Sequence, residues 1–465
     1  MRVLSQTLYF TLLCVLLLTQ HTINAQDVRV QIVSGKLQVT DIGNASNSLM
    51  SIEAGIGGTL RIADQGITFL EAVGPGLTQV TPNIVDVNPS AFTNGILVNG
   101  GEGTDIVVYA VSLSMSNQDF EIQNFDQINV FGPIQSQAGH ISLQAHKNIQ
   151  FSSTGNLSTQ TGNINLTANM QNPRNGDFNG IVMDGNNITT THGHIEIKGR
   201  GGNSGQESFG IKLQNQATIN GHTLLLDGKG RLNTTHSRGV SLTDAEINTT
   251  TSIIIQGLVT SGGVNSNYGI WLKNSMLTSD RIHLTGTLDV NSGTLNYGVQ
   301  LDQSNLFCTG LFSVPEDEIR IIGNAGANRF GHGVSLKNQT VLDGDTFANI
   351  SLTGFGSEIG GDGLTITSNT EIKNGRTTVL KGHAQGQGNG TGLKISNGAL
   401  LFGHVALLKI EGVTQSQSPI DFGLEITDPQ TLLQANFSSK LELMGNNVAS
   451  NTGHSLKILD AQMMK

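Results

Sequence analysis

The sequence predicts an all-β chain wound as a right-handed parallel β-helix. Three observations carry that prediction. Two strand-like motifs recur in phase at intervals close to thirty residues from residue 180 onward. Apolar and polar residues alternate within each copy, the period of a strand with one buried face. Glycine supplies 59 of 465 residues and separates the copies, and no stretch shows the period of a helix.

The elements follow in chain order. Residues 1–25 read as a secretory signal peptide: Arg2 precedes an apolar run over residues 8–18 and a polar stretch closing at Ala25. The run is too short to span a bilayer comfortably. Cys14 lies inside it, so Cys308 is the only cysteine expected in a mature, secreted chain, and no intramolecular disulfide is expected. Residues 26–135 do not share the later period; stretches such as VRVQIVSGKLQVTD and GTLRIADQG read as hairpin strands or irregular coils that cap the helix. GHISLQA at 139 and GNINLTA at 162 read as shorter coils, 23 residues apart.

The regular repeat then begins. Its first marker is GIVMDG at 180, GIKLQN at 210, GVSLTD at 239, GIWLKN at 269, GVQLDQ at 298 and GVSLKN at 333, continuing as GLTITS, GLKISN, GLEITD and SLKILD. Its second marker ends in glycine at 199, 228, 257, 286, 323, 354, 382, 412 and 445. In the first marker the residues one and three after glycine (Ile270 and Leu272, Ile395 in a later copy) are expected to point inward. Two residues beyond stands a column of turn formers: Asn215, Asp244, Asn274, Gln303, Asn338, Ser368, Asn397, Asp428 and Asp460. Thirty residues suffice for three short strands and three turns, which bury an apolar face only when coils stack at about 4.8 Å. Right-handedness is taken from the general preference of parallel crossovers. Gly/Ser/Asn-rich segments such as RGGNSGQESF and LVTSGGVNSNY are expected to project from one edge as loops. The last coil, entered at Ser455, is expected to be incomplete and to invite end-to-end self-association through its open edge.

The G-[HN]-I-x-[LI]-x-[AG] strands and long Gly/Asn-rich coils resemble filamentous-haemagglutinin-like bacterial surface proteins and repetitive exoproteins, over about residues 136–458. The resemblance is one of repeat style. It implies an exported, adhesin-like rod.

Few residues suggest chemistry. A formal net charge of −10 with no Lys/Arg run argues against nucleic acid or anionic lipid as partner, and no helix-forming apolar stretch after residue 25 is long enough to cross a membrane. GGEGTDIVV at 100–108 matches a calcium-binding nonapeptide and would make Asp105 a ligand. Calcium takes six to eight oxygens and the motif occurs once, so no cofactor is expected and the simpler reading is a glycine turn. HGHIE at 192–196 could set His192, His194 and Glu196 on one face as zinc ligands; a solvated strand face is the plainer reading. GHG at 331–333 is similar to a polygalacturonase motif, but Gly333 is the repeat glycine. The outward column Val182, Lys212, Ser241, Trp271, Gln300, Ser335, Thr365, Lys394 and Glu425 holds no carboxylate pair for acid–base hydrolysis. No catalytic residue is therefore assigned. Trp271, the one tryptophan, should face outward, where it could serve as a stacking platform for a sugar ring with Tyr268 and Tyr297 on adjacent coils; a loop-covered structural aromatic is the plainer reading. Strict alternation would turn the tyrosine column inward as corner packing. The expectation is a secreted or cell-surface, noncatalytic, adhesin-like protein that meets an extracellular surface or polysaccharide. The rival is a polysaccharide lyase or hydrolase on the same fold.

Overall fold

Inward positions of the repeat carry apolar side chains almost throughout, Thr378 being a buried exception, and stacking like on like builds one continuous core. Ile270 lies beside Val299 and Leu272 beside Leu301 on one face, while Ile253 meets Ile282 and Ile255 meets Leu284 on another. Ile270, Leu272 and Ile395 are fully buried within it. A computed structural model describes residues 28–43, 47–65, 70–101, 103–205, 207–231, 236–260, 266–289, 295–310, 317–327, 330–386, 388–416, 420–436, 439–448 and 454–464. The signal peptide expected over residues 1–25, with Cys14, lies outside them.

The architecture is a parallel β-solenoid of about nine turns with coils about 30 residues apart, and 64% of the described residues are strand. Each regular coil has three strands. One coil uses Tyr268–Lys273, Met276–Ser279 and Arg281–Asp289, and each pairs in parallel with its counterpart in the next coil: Tyr297–Asp302, Asn305–Cys308 and Glu318–Asn324. The turn column behaves as its residue types require. Asn215, Asp244, Asn274, Gln303, Asn338, Ser368, Asn397, Asp428 and Asp460 all take positive φ, between 48° and 81°, where Asn and Asp are tolerated best among residues with a Cβ. Their side chains also bond from coil to coil: Asn338 Nδ2 donates to Asp302 Oδ1 at 2.8 Å, and Asn274 and Asn215 reach Asp244 and Asp184 in the same way.

The two in-phase glycine columns meet. A Cβ on Gly257 would overlap the carbonyl oxygen of Gly269, and the same holds for Gly286 with Gly298, Gly323 with Gly333 and Gly354 with Gly363. Only glycine allows backbones to approach this closely. The seam pinches off an arm on one edge. Past the second-marker glycine the strands Thr218–Arg231, Glu246–Thr260 and Arg281–Asp289 run on, and the chain returns just ahead of the next first-marker glycine. The segments expected as loops thus have strand-like bases and a small core of their own, Val259 and Leu288. A side-chain ladder closes it: Asn267 Oδ1 accepts from Ser237 N, and Asn296 Oδ1 accepts from both nitrogens of Asn267, each at 3.0 Å.

At the N-terminal end, Val28–Val33 pairs antiparallel with Lys36–Asp41, and Leu49–Ala54, Leu60–Asp64, Ile84–Val87 and Leu77–Thr81 form an antiparallel run. Parallel stacking starts before the expected boundary at residue 136. Ile96–Asn99 and Ile106–Tyr109 already pair in parallel with Phe120–Val130. Those early coils lack the thirty-residue spacing, so periodicity could not reveal them. At the other end the last described coil has two strands: His454–Leu459 pairs with Phe422–Thr427, and Gln462–Met464 with Leu432–Ala435. Cys308 is buried and free, its thiol donating to Asp280 O at 2.7 Å and pushed up to about 12 chiefly by burial.

Two substitutions test this packing. Gly257→Ala forces the seam apart and is expected to destabilise the chain by about 1–3 kcal/mol or more, whereas Thr287→Ala beside it should change little. Ile270→Asp buries a carboxylate with no partner and is expected to cost several kcal/mol. Chemical denaturation measures both, and an unchanged transition in Gly257→Ala would refute the seam.

Candidate functional site

Strand pairing skips the seam glycines: Tyr268 is matched with Tyr297 and Ile270 with Val299, with no match between Gly269 and Gly298. The alternation therefore breaks at the glycine, and the residue before it faces the same way as the residue two after it. The tyrosine column, expected inward by strict alternation, is half-buried on the outer side together with Trp271. There it forms a stacked row along the rod. Tyr268 and Tyr297 stack at 5.3 Å with 5° between planes, Tyr297 and the His332 ring at 5.1 Å, and Tyr268 and Trp271 at 5.7 Å.

A half-buried cation completes the row. The Arg238 guanidinium lies 3.6 Å from the Trp271 ring centroid, 4.8 Å from Phe209 and 5.4 Å from Tyr268, and its Nη1 donates to Ser241 Oγ at 3.1 Å. Burial lowers its pKa to about 10, opposed by the nearby Tyr268 and Glu207. Burial likewise raises the hydroxyls of Tyr268 and Tyr297 and lowers the His332 imidazole, against the pull of Asp362 at 3.6 Å. Each aromatic pair contributes about 0.5–1.5 kcal/mol beyond area burial, and the cation–π contacts add to it. The structure thus brings Trp271, Tyr268 and Tyr297 together, but one face of the indole is occupied by Arg238. The row is first a spine that holds successive coils in register.

Asp105 lies immediately before the strand Ile106–Tyr109, after a turn in which Gly101 and Gly103 have positive φ. Its carboxylate is 1% exposed and points into the junction between the cap and the first coils. Oδ1 accepts from Ser48 N at 2.8 Å, and Oδ2 has no hydrogen-bond partner. Burial, with Asp41, Asp126 and Asp64 nearby, raises this carboxyl to about 7 against the lowering effect of the Ser48 bond. Among the described residues no group of three His, Cys, Asp or Glu side chains is placed to hold a metal ion. In HGHIE, His192 and His194 are exposed, and Glu196 is engaged by Lys198 at 2.7 Å.

A cleft lies elsewhere, at the far end of the strands that carry the aromatic row. It is a groove of about 870 Å³ running across four coils. One wall is the turn column, Asn215, Asp244, Asn274 and Gln303; the other is the opening of the next strands, Thr218, Glu246, Met276 and Asn305. Part of each wall is committed: Asp244 accepts from Asn274, and Glu246 Oε1 from Asn248 Nδ2 at 2.7 Å. The side chains of Gln303 and Asn305 make no hydrogen bond among the described residues. What remains is a trough of amides, carboxylate oxygens and a thioether, with no cation in its lining. The sequence displayed this column as turn formers; that they line a groove depends on the concave corner the coil makes there.

No protein-family model, curated protein or solved structure matches this chain.

The buried carboxyl makes a testable pH signature. Its folded pKa lies above the unfolded value of 3.8, so folding favours the protonated form. The stability it contributes is fully present below the unfolded pKa and is lost as pH rises through about 7. Asp105→Asn is expected to melt higher than the parent at about pH 8 and to flatten the loss seen between about pH 5 and pH 8. Thermal melts at both values check this, and parallel curves for parent and variant would refute it.

Proposed function

We propose that this chain is a secreted or cell-surface, noncatalytic, adhesin-like rod that holds an extended, hydroxyl-rich glycan along its axis. The observation that carries the reading is the groove across four coils, whose amide and carboxylate side chains recur at the coil spacing. Such groups accept from and donate to vicinal hydroxyls, and Met276 offers an apolar contact for a sugar face. Repetition at the spacing of the coils suits a polymer better than a small molecule, because neighbouring units are engaged together. Asp244 and Glu246 with no basic partner in the groove favour a neutral chain over a polyanion. The half-exposed rims of Tyr268 and Tyr297 extend the same outer face. The resemblance to filamentous-haemagglutinin-like exoproteins points in the same direction, and among the described residues no helix is long and apolar enough to cross a membrane.

A second reading, a polysaccharide-active enzyme, is favoured by one feature, the contact of Tyr297 with His332 and of His332 with Asp362. A panel of immobilised neutral polysaccharides, combined with an assay for newly released chain ends, separates the two. Binding without cleavage is expected, weakened about tenfold or more by Asp244→Ala with Asn274→Ala. Cleavage abolished by His332→Ala would replace the adhesin reading, and binding indifferent to the groove variants would remove the groove from it.

A further inference from the structure

Most lysines among the described residues are matched to carboxylates in the same or a neighbouring coil. Lys147 meets Asp126 at 2.8 Å, Lys337 meets Asp302 at 3.4 Å, and Lys394 and Lys457 share Glu425 at 3.3 and 2.7 Å. Arg200 and Arg231 depart from that pattern. Each closes a strand running out past the glycine seam, His194–Arg200 and Thr218–Arg231. Register places Arg200 directly beside Lys229, so Arg231 is its diagonal neighbour on the same outward face. Both arginines are half-buried. Neither has an ion pair among the described residues, and Nη1 of Arg231 is buried with no hydrogen-bond partner. Lys229 is only loosely held, 3.6 Å from Asp227.

Like charges on facing positions of adjacent strands repel, and half-burying a guanidinium without a partner adds a desolvation cost. Three cations from two adjacent coils in a chain of formal charge −10 are therefore an arrangement that an anion would relieve. We infer that Arg200, Lys229 and Arg231 form a binding site for an oxyanion, a carboxylate or sulfate group carried on an acidic polysaccharide. Guanidinium forks match such groups bidentately, and the lysine supplies a third donor. The lowered pKa of Arg200, caused first by burial and then by Arg231, is consistent with cations held close together. A polysaccharide fits better than a nucleic acid. The patch is local, three cations bordered by Asp227 and Glu196, so it grips one anionic group of a chain and lacks the continuous basic track that a phosphate backbone requires. This site lies apart from the polar groove and does not rest on it.

Titration calorimetry on the full chain at low salt tests the site with polygalacturonate as carboxylate probe, dextran sulfate as sulfate probe, neutral dextran, and single-stranded DNA. Saturable binding of one acidic polysaccharide is expected, falling about tenfold or more in Arg200→Gln with Arg231→Gln and unchanged in Arg376→Gln. The probe that binds identifies carboxylate or sulfate as the anion. If the double variant does not fold, Lys229→Gln alone is expected to weaken binding several-fold with the melting temperature intact. The inference is overturned if neither acidic probe binds, if binding survives the arginine substitutions, or if the DNA binds as tightly through the same residues.

Discussion

The close approach of two glycine backbones, repeated coil after coil, is the constraint on which the rest of this structure depends. Gly257 against Gly269 and Gly286 against Gly298 leave no space for a Cβ. Because the chain can return to within backbone contact of itself, it can leave the solenoid wall, build an arm and re-enter in register. That is why both markers end or begin in glycine and why they are locked in phase. The seam also breaks strand alternation, which places Tyr268 and Trp271 on one side although they are three residues apart.

The consequence is a division of labour among columns. Aliphatic columns form a single core. Asn and Asp columns satisfy turns and bond to the coil below, as Asn274 does to Asp244. Aromatic and cationic side chains that neither the core nor the turns can accept collect outside the seam, where Arg238 is held among Phe209, Tyr268 and Trp271. With only 13% charged residues, the chain relies little on ion pairs for its shape. The half-buried guanidiniums of Arg200 and Arg231 are conspicuous for that reason.

A rod of this kind offers long surfaces rather than an enclosed pocket. Its groove lines up polar side chains from four successive coils along the axis, the feature on which the glycan proposal rests. The β-solenoid alone does not distinguish adhesion from catalysis on polysaccharide. The distinction turns on particular side chains: Asp244, Asn274 and Gln303 lining the groove on one side, and the Tyr297, His332 and Asp362 row on the other.

Some of this was written plainly in the sequence. The thirty-residue period, the inward Ile270 and Leu272, and the left-handed turn column from Asn215 to Asp460 were all legible, because each follows from local rules acting identically in every coil. The early coils at Ile96–Asn99 and Ile106–Tyr109 were not, since their spacing is irregular. The outward face of Tyr268 and Tyr297 was not, since alternation fails only where two distant glycines touch. Asp105 was visible as a motif, but its burial against Ser48 was not. Nor could the sequence reveal that Arg200, Lys229 and Arg231 share one patch, for residues about thirty apart become neighbours only when coils stack. The sequence by itself determined the period and the inward face, because these are local and repeat; tertiary structure alone decided the groove, the aromatic row and the cationic patch, because each is assembled across coils.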